Sequence, residues 1–225
     1  MRFTLSDILA PHYCTSCEEI GTILCARCKY DIVNELTPSC LRCAKPLPTS
    51  TMECTACQLP YSKQWCTGEL RESLQGLIYA MKFERNYEAI RALVDILDEG
   101  LAPLPRDVIV TYIPTITPHV RQRGYDHARR LAEGFATARN LPLKIALKRA
   151  HNTVQRGENR KTRIEQAKLA FTGSNVNDAV YLLIDDVSTT GATIEAGAKE
   201  LLAAGAKEVW VAVLAHQPLE SESKN

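Results

Sequence analysis

Eight of the nine cysteines in this 225-residue chain fall before residue 58, and they fall in pairs. The pairs are Cys14/Cys17, Cys25/Cys28, Cys40/Cys43 and Cys54/Cys57, with Cys66 left over. A CxxC turn presents two thiolates to one metal ion, and two such turns complete a tetrahedron. The spacings CxxC-x7-CxxC and CxxC-x10-CxxC suggest two short zinc ribbons. Four thiolates leave no open coordination position, so both zinc ions are expected to be structural. A disulfide framework is the competing reading, but four CxxC pairs without a secretion signal form a metal pattern. Sequential pairing of the turns is simplest; an interleaved arrangement fits the same spacings. The module is too short to bury much apolar area, so metal binding is expected to supply most of its folding free energy. Cys66 reads as an ordinary buried or partly buried thiol.

After Cys66 the pattern changes, which divides the chain into a cysteine module, 1–66, and a second domain, 67–225. Leu70 to Phe83 places Leu70, Leu74, Leu77, Ile78 and Met81 on one helical face. Asn86 to Leu97 repeats that period until Gly100, with Pro103 and Pro105 marking a loop. Asp107 to Pro114 is rich in β-branched residues and predicts a strand. Gly124 to Asn140 predicts one helix, Leu143 to Leu147 a short strand, and Ala170 to Thr172 a brief one. Tyr181 to Ile184 predicts a buried strand, Ala192 to Ala203 a helix closed near Gly205, and Glu208 to Ala215 a last buried strand. Alternating strands and helices argue for an α/β fold with a parallel sheet flanked by helices. Ligands of such sheets sit outside the carboxyl ends of the strands.

The net charge of +1 hides an asymmetry. His119 to Arg163 carries twelve Lys/Arg against three Asp/Glu, a balance of +9, while the cysteine module sums to zero. A basic segment inside a near-neutral protein is either a solvated face or an anion site for polyphosphate or nucleic acid. No apolar run approaches the roughly 20 residues of a membrane span, so a soluble, cytoplasmic protein is expected.

The stretch YLLIDDVSTTGATIEAGAKELL, from Tyr181 to Leu202, sets two acids at a strand end before a hydroxyl-rich loop. A helix N-terminus offers free N–H groups and a favourable dipole to an anion. Thr189, Thr190 and Thr193 add hydroxyls, and Gly191 permits close approach. This is phosphate-cradle chemistry, but neither GxxxxGK[ST] nor GxGxxG is present. Asp185 and Asp186 repel phosphate and need donors or cations, such as sugar hydroxyls or a Mg²⁺-bearing diphosphate. A ligand with a phosphate at one end, a diol in the middle and a diphosphate at the other uses every group. Helix capping is the bland alternative for the acids, but a cap needs only one such residue.

LLIDDVSTTGAT resembles the phosphoribosyl-pyrophosphate (PRPP) loop of type I phosphoribosyltransferases. More narrowly, the chain is similar to the ComF family of competence-associated, amidophosphoribosyltransferase-like proteins. That family joins an N-terminal double zinc ribbon to a domain of the type I phosphoribosyltransferase fold. The CxxC set, the Lys of IYAMKF, IPTITPHVRQRGYDHARRLAEGFA, TVQRGENRKTRIEQAKLAF and the PRPP loop occur in the family's order. The resemblance implies that Asp185 and Asp186 hold the ribose hydroxyls. It implies that Thr189, Thr190, Gly191 and Thr193 bind the 5′-phosphate within a loop completed by Val187, Ser188 and Ala192. Arg121 and Arg123 of RQRG then neutralise the pyrophosphate, with Lys82 assisting. Asp185, Asp186, Arg121 and Arg123 are the implied catalytic set, with Mg²⁺ as the second metal beside zinc. The basic stretch with Arg156, Arg160, Lys161 and Arg163 corresponds to a flexible loop that closes over the site. The chain departs from the family pattern at Asp126 and Gln166, where Asn is usual. Thr189 stands where many purine phosphoribosyltransferases carry an acid, so the loop offers no obvious general base.

The leading expectation is a Mg²⁺- and PRPP-dependent transferase in DNA uptake or nucleotide metabolism, its acceptor open. Two alternatives are a PRPP sensor without turnover and a single-stranded-DNA-binding or adaptor protein that meets the competence machinery. Tyr125 is the only aromatic between His119 and Arg163 besides Phe135, which falls on the apolar helical face, so that segment offers little for base stacking.

Overall fold

The apolar runs around Leu182 and Val211 do not alternate with polar residues, as expected of strands buried on both faces. The computed structural model, which describes residues 13–34, 38–149 and 171–217, makes them the two central strands of a parallel sheet. The strands are β1 (Lys63–Cys66), β2 (Ile109–Tyr112), β5 (Val180–Ser188) and β6 (Glu208–His216), in the order β1-β6-β5-β2. A separate antiparallel pair, β3 (Leu147–Arg149) and β4 (Phe171–Gly173), sets Leu147 opposite Gly173.

Successive strand residues point to opposite faces, and the core divides accordingly. Leu182, Ile184, Trp210, Ala212 and Leu214 pack on one side. There they meet α2 (Glu72–Phe83), α3 (Tyr87–Gly100) and α5 (His127–Arg139) through residues such as Leu77, Leu93, Leu131 and Phe135. Tyr181, Leu183, Val211 and Val213 pack on the other side against α6 (Ala192–Ala203), using Ile194, Ala198 and Leu201. The first helix among the described residues, α1 (Ala26–Asn34), belongs to the cysteine-rich region and lies by α3, with Lys29 Nζ 2.6 Å from Glu99 Oε1. Asn86 starts α3 by accepting from the N–H groups of Glu88 and Ala89. No helix among the described residues is long and apolar enough to cross a membrane.

Three expected elements differ. The helix expected over Gly124–Asn140 starts only at His127, and a separate short helix precedes it, giving α4 (Thr117–Arg123) and α5. Gly124 ends the first in the left-handed region at φ 83°, and Asp126 caps the second by accepting from Arg129 N–H. Periodicity does not register α4, because its seven residues bury no side chain. The strand expected at Leu143–Leu147 begins only at Leu147; Leu143 makes a lone bridge to Val110. The buried strand expected to end at Ile184 continues to Ser188, because β6 pairs with it as far as Ser188 opposite His216. The acids therefore lie within the strand, and only Thr189–Gly191 form the turn to α6.

Strand β1 lies N-terminal to residue 67 yet pairs in register with β6, Lys63 opposite Trp210 and Cys66 opposite Val213. The main sheet thus takes its edge strand from the cysteine-rich end of the chain.

Candidate functional site

The site forms where β2 stops and β5 goes on. Beyond the pair Tyr112–Ile184, the β2 chain leaves the sheet, and one edge of β5 loses its neighbour. The acids then satisfy their own backbone: Asp186 N–H donates to Asp185 Oδ1 at 2.9 Å, and Val187 N–H to Asp186 Oδ1 at 2.7 Å. An extended chain with a free edge thereby keeps its polar groups paired.

Asp186 is buried, and its Oδ2 meets Lys82 Nζ at 2.7 Å and His127 Nε2 at 2.9 Å. The other ring nitrogen, Nδ1, lies 3.0 Å from Arg123 Nη1. A guanidinium only donates, so Nδ1 accepts and the proton sits on Nε2, where it donates to Asp186. Burial alone would raise the Asp186 carboxyl; the His127 hydrogen bond and the Lys82 charge hold it well below the usual carboxylate range. Asp185 responds in the opposite sense. Burial, and then the negative Asp186 beside it, push its carboxyl up to about 8. The two adjacent carboxyls are thus pushed in opposite directions.

Around them, Arg149 donates from Nε to the Pro114 carbonyl at 2.7 Å and stacks over Phe171. Arg123 lies over the Phe83 ring, 4.9 Å from its centroid, and its buried Nε has no hydrogen-bond partner among the described residues. Arg85 Nε donates to the Arg123 carbonyl at 2.8 Å, fixing the end of α4. Asp126, the unusual residue of this segment, accepts from Thr115 Oγ1 at 2.8 Å as well as capping α5.

At the other end of the site, Ser188 is buried and its Oγ also lacks a partner among the described residues. Thr189 and Thr193 are exposed, and Thr190 Oγ1 accepts from Ala192 N–H at 3.4 Å. Gly191 stands at φ 73°, a conformation costly for a residue with a side chain, and leads into α6. His216 Nε2 lies 3.2 Å from the Thr189 carbonyl, to which it donates, and Gln217 N–H donates to the Ser188 carbonyl at 2.8 Å.

The expected site residues are therefore distributed unevenly. Lys82, Arg123, Asp185 and Asp186 converge, and Val187, Ser188, Thr189, Thr190, Gly191, Ala192 and Thr193 follow on one strand-turn-helix. Arg121 is exposed on α4. Two helix positions apart, it points roughly 200° away from Arg123. Arg156, Arg160, Lys161 and Arg163 lie outside the described residues. Sequence reasoning missed His127 and His216. His127 directly follows the capping Asp126 as the first residue of α5, inside the expected helix but with no motif to mark it.

The cysteines form two tetrads in sequential order, Cys14/Cys17/Cys25/Cys28 and Cys40/Cys43/Cys54/Cys57, with the sulfurs of each within 4.8 Å of one another. Backbone N–H groups point at them, as Cys25 N–H does to Cys14 Sγ and Arg42 N–H to Cys40 Sγ. In the second set, Cys43 beside it and then burial push the Cys57 thiol up to about 12, so thiolates this crowded call for a cation. Each donor set fits a four-coordinate zinc ion. Cys66 stands apart, and its Sγ–H donates to the Gly68 carbonyl at 3.1 Å.

Residues 87–225 match the phosphoribosyl transferase domain family. The chain is also 31% identical over 203 residues to "Competence protein F" of Haemophilus influenzae (strain ATCC 51907 / DSM 11121 / KW20 / Rd), covering 84% of this chain and 88% of that protein. The chain belongs to the phosphoribosyl transferase domain family and, within it, to the ComF group. Among solved structures it is similar to one described as the allosteric regulatory enzyme of purine biosynthesis, at 20% identity and a TM-score of 0.43. A second is the glutamine PRPP amidotransferase from B. subtilis complexed with ADP and GMP, at 20% identity and a TM-score of 0.42. Both comparisons cover 61% of this chain and 30% of the other.

Proposed function

We propose that the chain is a Mg²⁺- and PRPP-dependent phosphoribosyltransferase of the ComF type, acting in the cytoplasm in DNA uptake or nucleotide metabolism. The observation that carries this reading is the buried group Lys82–Asp186–His127 beside Asp185, on the strand that runs into a left-handed glycine turn. In this reading Asp185 and Asp186 take the ribose hydroxyls, while Thr189, Thr190, Gly191 and Thr193 take the 5′-phosphate. Ser188 Oγ and Arg123 Nε, buried and unpartnered among the described residues, face the same ligand's polar ends. Arg123 neutralises the pyrophosphate, whose departure from C1′ gathers negative charge on the leaving oxygens. Lys82 sets the ionisation of Asp186 and so prepares the diol site. Residues 1–66 and 67–225 act as a zinc module and a transferase domain.

Thermal melting with PRPP and Mg²⁺ tests the reading. The midpoint rises with PRPP in the wild type, and Asp186→Asn abolishes the rise. No rise at millimolar PRPP would sink it. Pyrophosphate release across candidate acceptors then separates an enzyme from a sensor.

One observation favours single-stranded DNA as a further ligand. Tyr79 and Phe83 on α2 and Tyr87 on α3 are exposed, and Arg123 lies over the Phe83 ring. Aromatic faces interleaved with cations suit unstacked bases and their phosphates. In a gel-shift titration with a salt series, Phe83→Ala is expected to weaken binding; no binding at moderate salt dismisses this reading.

A further inference from the structure

The second cysteine tetrad does not stand beside the sheet as a separate module; it forms one wall of the phosphate turn. Between the ligands Cys40 and Cys43 lie only Leu41 and Arg42. Leu41 is 1% exposed and packs in the same cluster as Ile194 of α6. Its N–H donates at 2.9 Å to Oε1 of Gln64, a buried residue of the edge strand β1. Its carbonyl oxygen lies 3.5 Å from where a Cβ on Gly191 would stand. Arg42 Nε lies 3.6 Å from Oε1 of Glu195, one turn into α6, and Arg42 Nη1 donates to the Gln58 carbonyl at 3.3 Å.

We infer that the Leu41–Arg42 knuckle is a positioning element for the turn Thr189–Thr193, and that the ion held by Cys40, Cys43, Cys54 and Cys57 keeps it in place. The inference rests on the reading of that turn as the phosphate site. The physical reason is leverage. Two residues strung between metal ligands have almost no freedom of their own. Leu41 is thus set as rigidly as the tetrad, and its carbonyl oxygen borders the space beside the left-handed residue on which the turn depends. Apolar burial of Leu41 holds α6, and the Gln64 bond ties the knuckle to the sheet, so the turn is held from both sides.

The first tetrad lacks this relation. Its knuckle packs on α2 through Thr15, 3.2 Å from where a Cβ on Gly76 would stand, and through a 2.6 Å bond from Ser73 Oγ to Ser16 Oγ. These contacts are in the first half of α2, away from Lys82.

The test uses the zinc-loaded full chain with Leu41→Ala, which keeps all eight cysteines. Removing a cysteine could unfold the module, so Leu41 is the better probe. Zinc content is expected to stay at the wild-type level. Amide hydrogen exchange across residues 188–195 is expected to rise about tenfold or more, the change that a local loss typical of Leu→Ala produces. Exchange in α2 around Lys82 is expected to hold, and Ser16→Ala on the first knuckle is expected to leave residues 188–195 unchanged. Dissociation of PRPP is expected to strengthen in step, with Kd rising about tenfold. Unchanged exchange at 188–195 in zinc-replete Leu41→Ala overturns the inference. Failure of the wild type to bind PRPP overturns the phosphate reading instead, and the exchange result still decides whether the knuckle sets the turn.

Discussion

The two ends of the candidate site are held in different ways. At the acid end, charged side chains hold one another: Lys82 and His127 on Asp186, and Arg123 on His127. At the phosphate end the turn has, among the described residues, only the half-exposed Arg42–Glu195 pair beside it. It depends on a left-handed glycine, on His216 at its Thr189 carbonyl and on Leu41 from the cysteine-rich region. One end is thus preorganised by electrostatics within the domain, the other by backbone shape and neighbouring packing. Substitutions at the acid end should therefore cost stability first. Substitutions at the turn should cost binding more than stability.

The largest effect is expected from Lys82→Met. It leaves the buried Asp186 with His127 alone and should destabilise by ~3 kcal/mol, the low end for removing one partner of a buried pair. For a domain of this size the melting midpoint should fall by roughly 6–12 °C. A fall below about 2 °C would mean that the acid end is not electrostatically held. Gly191→Ala comes next. A side chain at φ 73° should cost about 1–2 kcal/mol, while PRPP binding should suffer more than that loss of stability explains. Equal losses in both would erase the contrast between the ends.

Asp185→Asn gives a smaller effect with a characteristic pH profile. The Asp185 carboxyl is raised from its ordinary range near 4 to about 8, so the folded state binds more protons than the unfolded one between these values. Its contribution to stability is complete below about pH 4 and is lost as pH rises toward 8. Asparagine, which resembles the protonated acid, should flatten that decline and melt above the wild type at alkaline pH. Asp186 works in the opposite sense: its contribution is present above about pH 4 and is lost in acid. Urea titrations from pH 4 to 9 read the Asp185 decline, and titrations extended below pH 4 read the Asp186 loss. The smallest effect is expected for Arg42→Ala. The Arg42 side chain is 49% exposed, and its pair with Glu195 should contribute under ~1 kcal/mol.

Much of this architecture was legible from residue patterns. Unbroken apolar strands near Leu182 and Val211 announced a sheet buried on both faces, and CxxC spacing announced two metal sites. The start of α5 was legible to within three residues at Gly124, but the short helix α4 before it was not, since its seven residues bury no side chain. His127 lay inside the expected helix with no motif to mark it. The position of Asp185 and Asp186 inside β5 was also hidden, because strand length there is set by β6 across the ladder and not by local propensity. Three-dimensional proximity supplied the rest: the CxxC pattern gave no sign that Leu41 would meet Gly191, 150 residues away in the chain.

The central claim is that the acid pair and the turn bind one PRPP molecule together. Calorimetric titration of zinc-loaded wild type and Asp185→Asn with PRPP and Mg²⁺ at pH 7, in two buffers of different ionisation enthalpy, tests it most directly. Hydroxyls donating to Asp185 favour its ionised form, so wild-type binding should release protons to the buffer. Asp185→Asn should remain folded, release none and bind far more weakly. Equal affinity in the two proteins, or wild-type binding without proton release, would contradict the account.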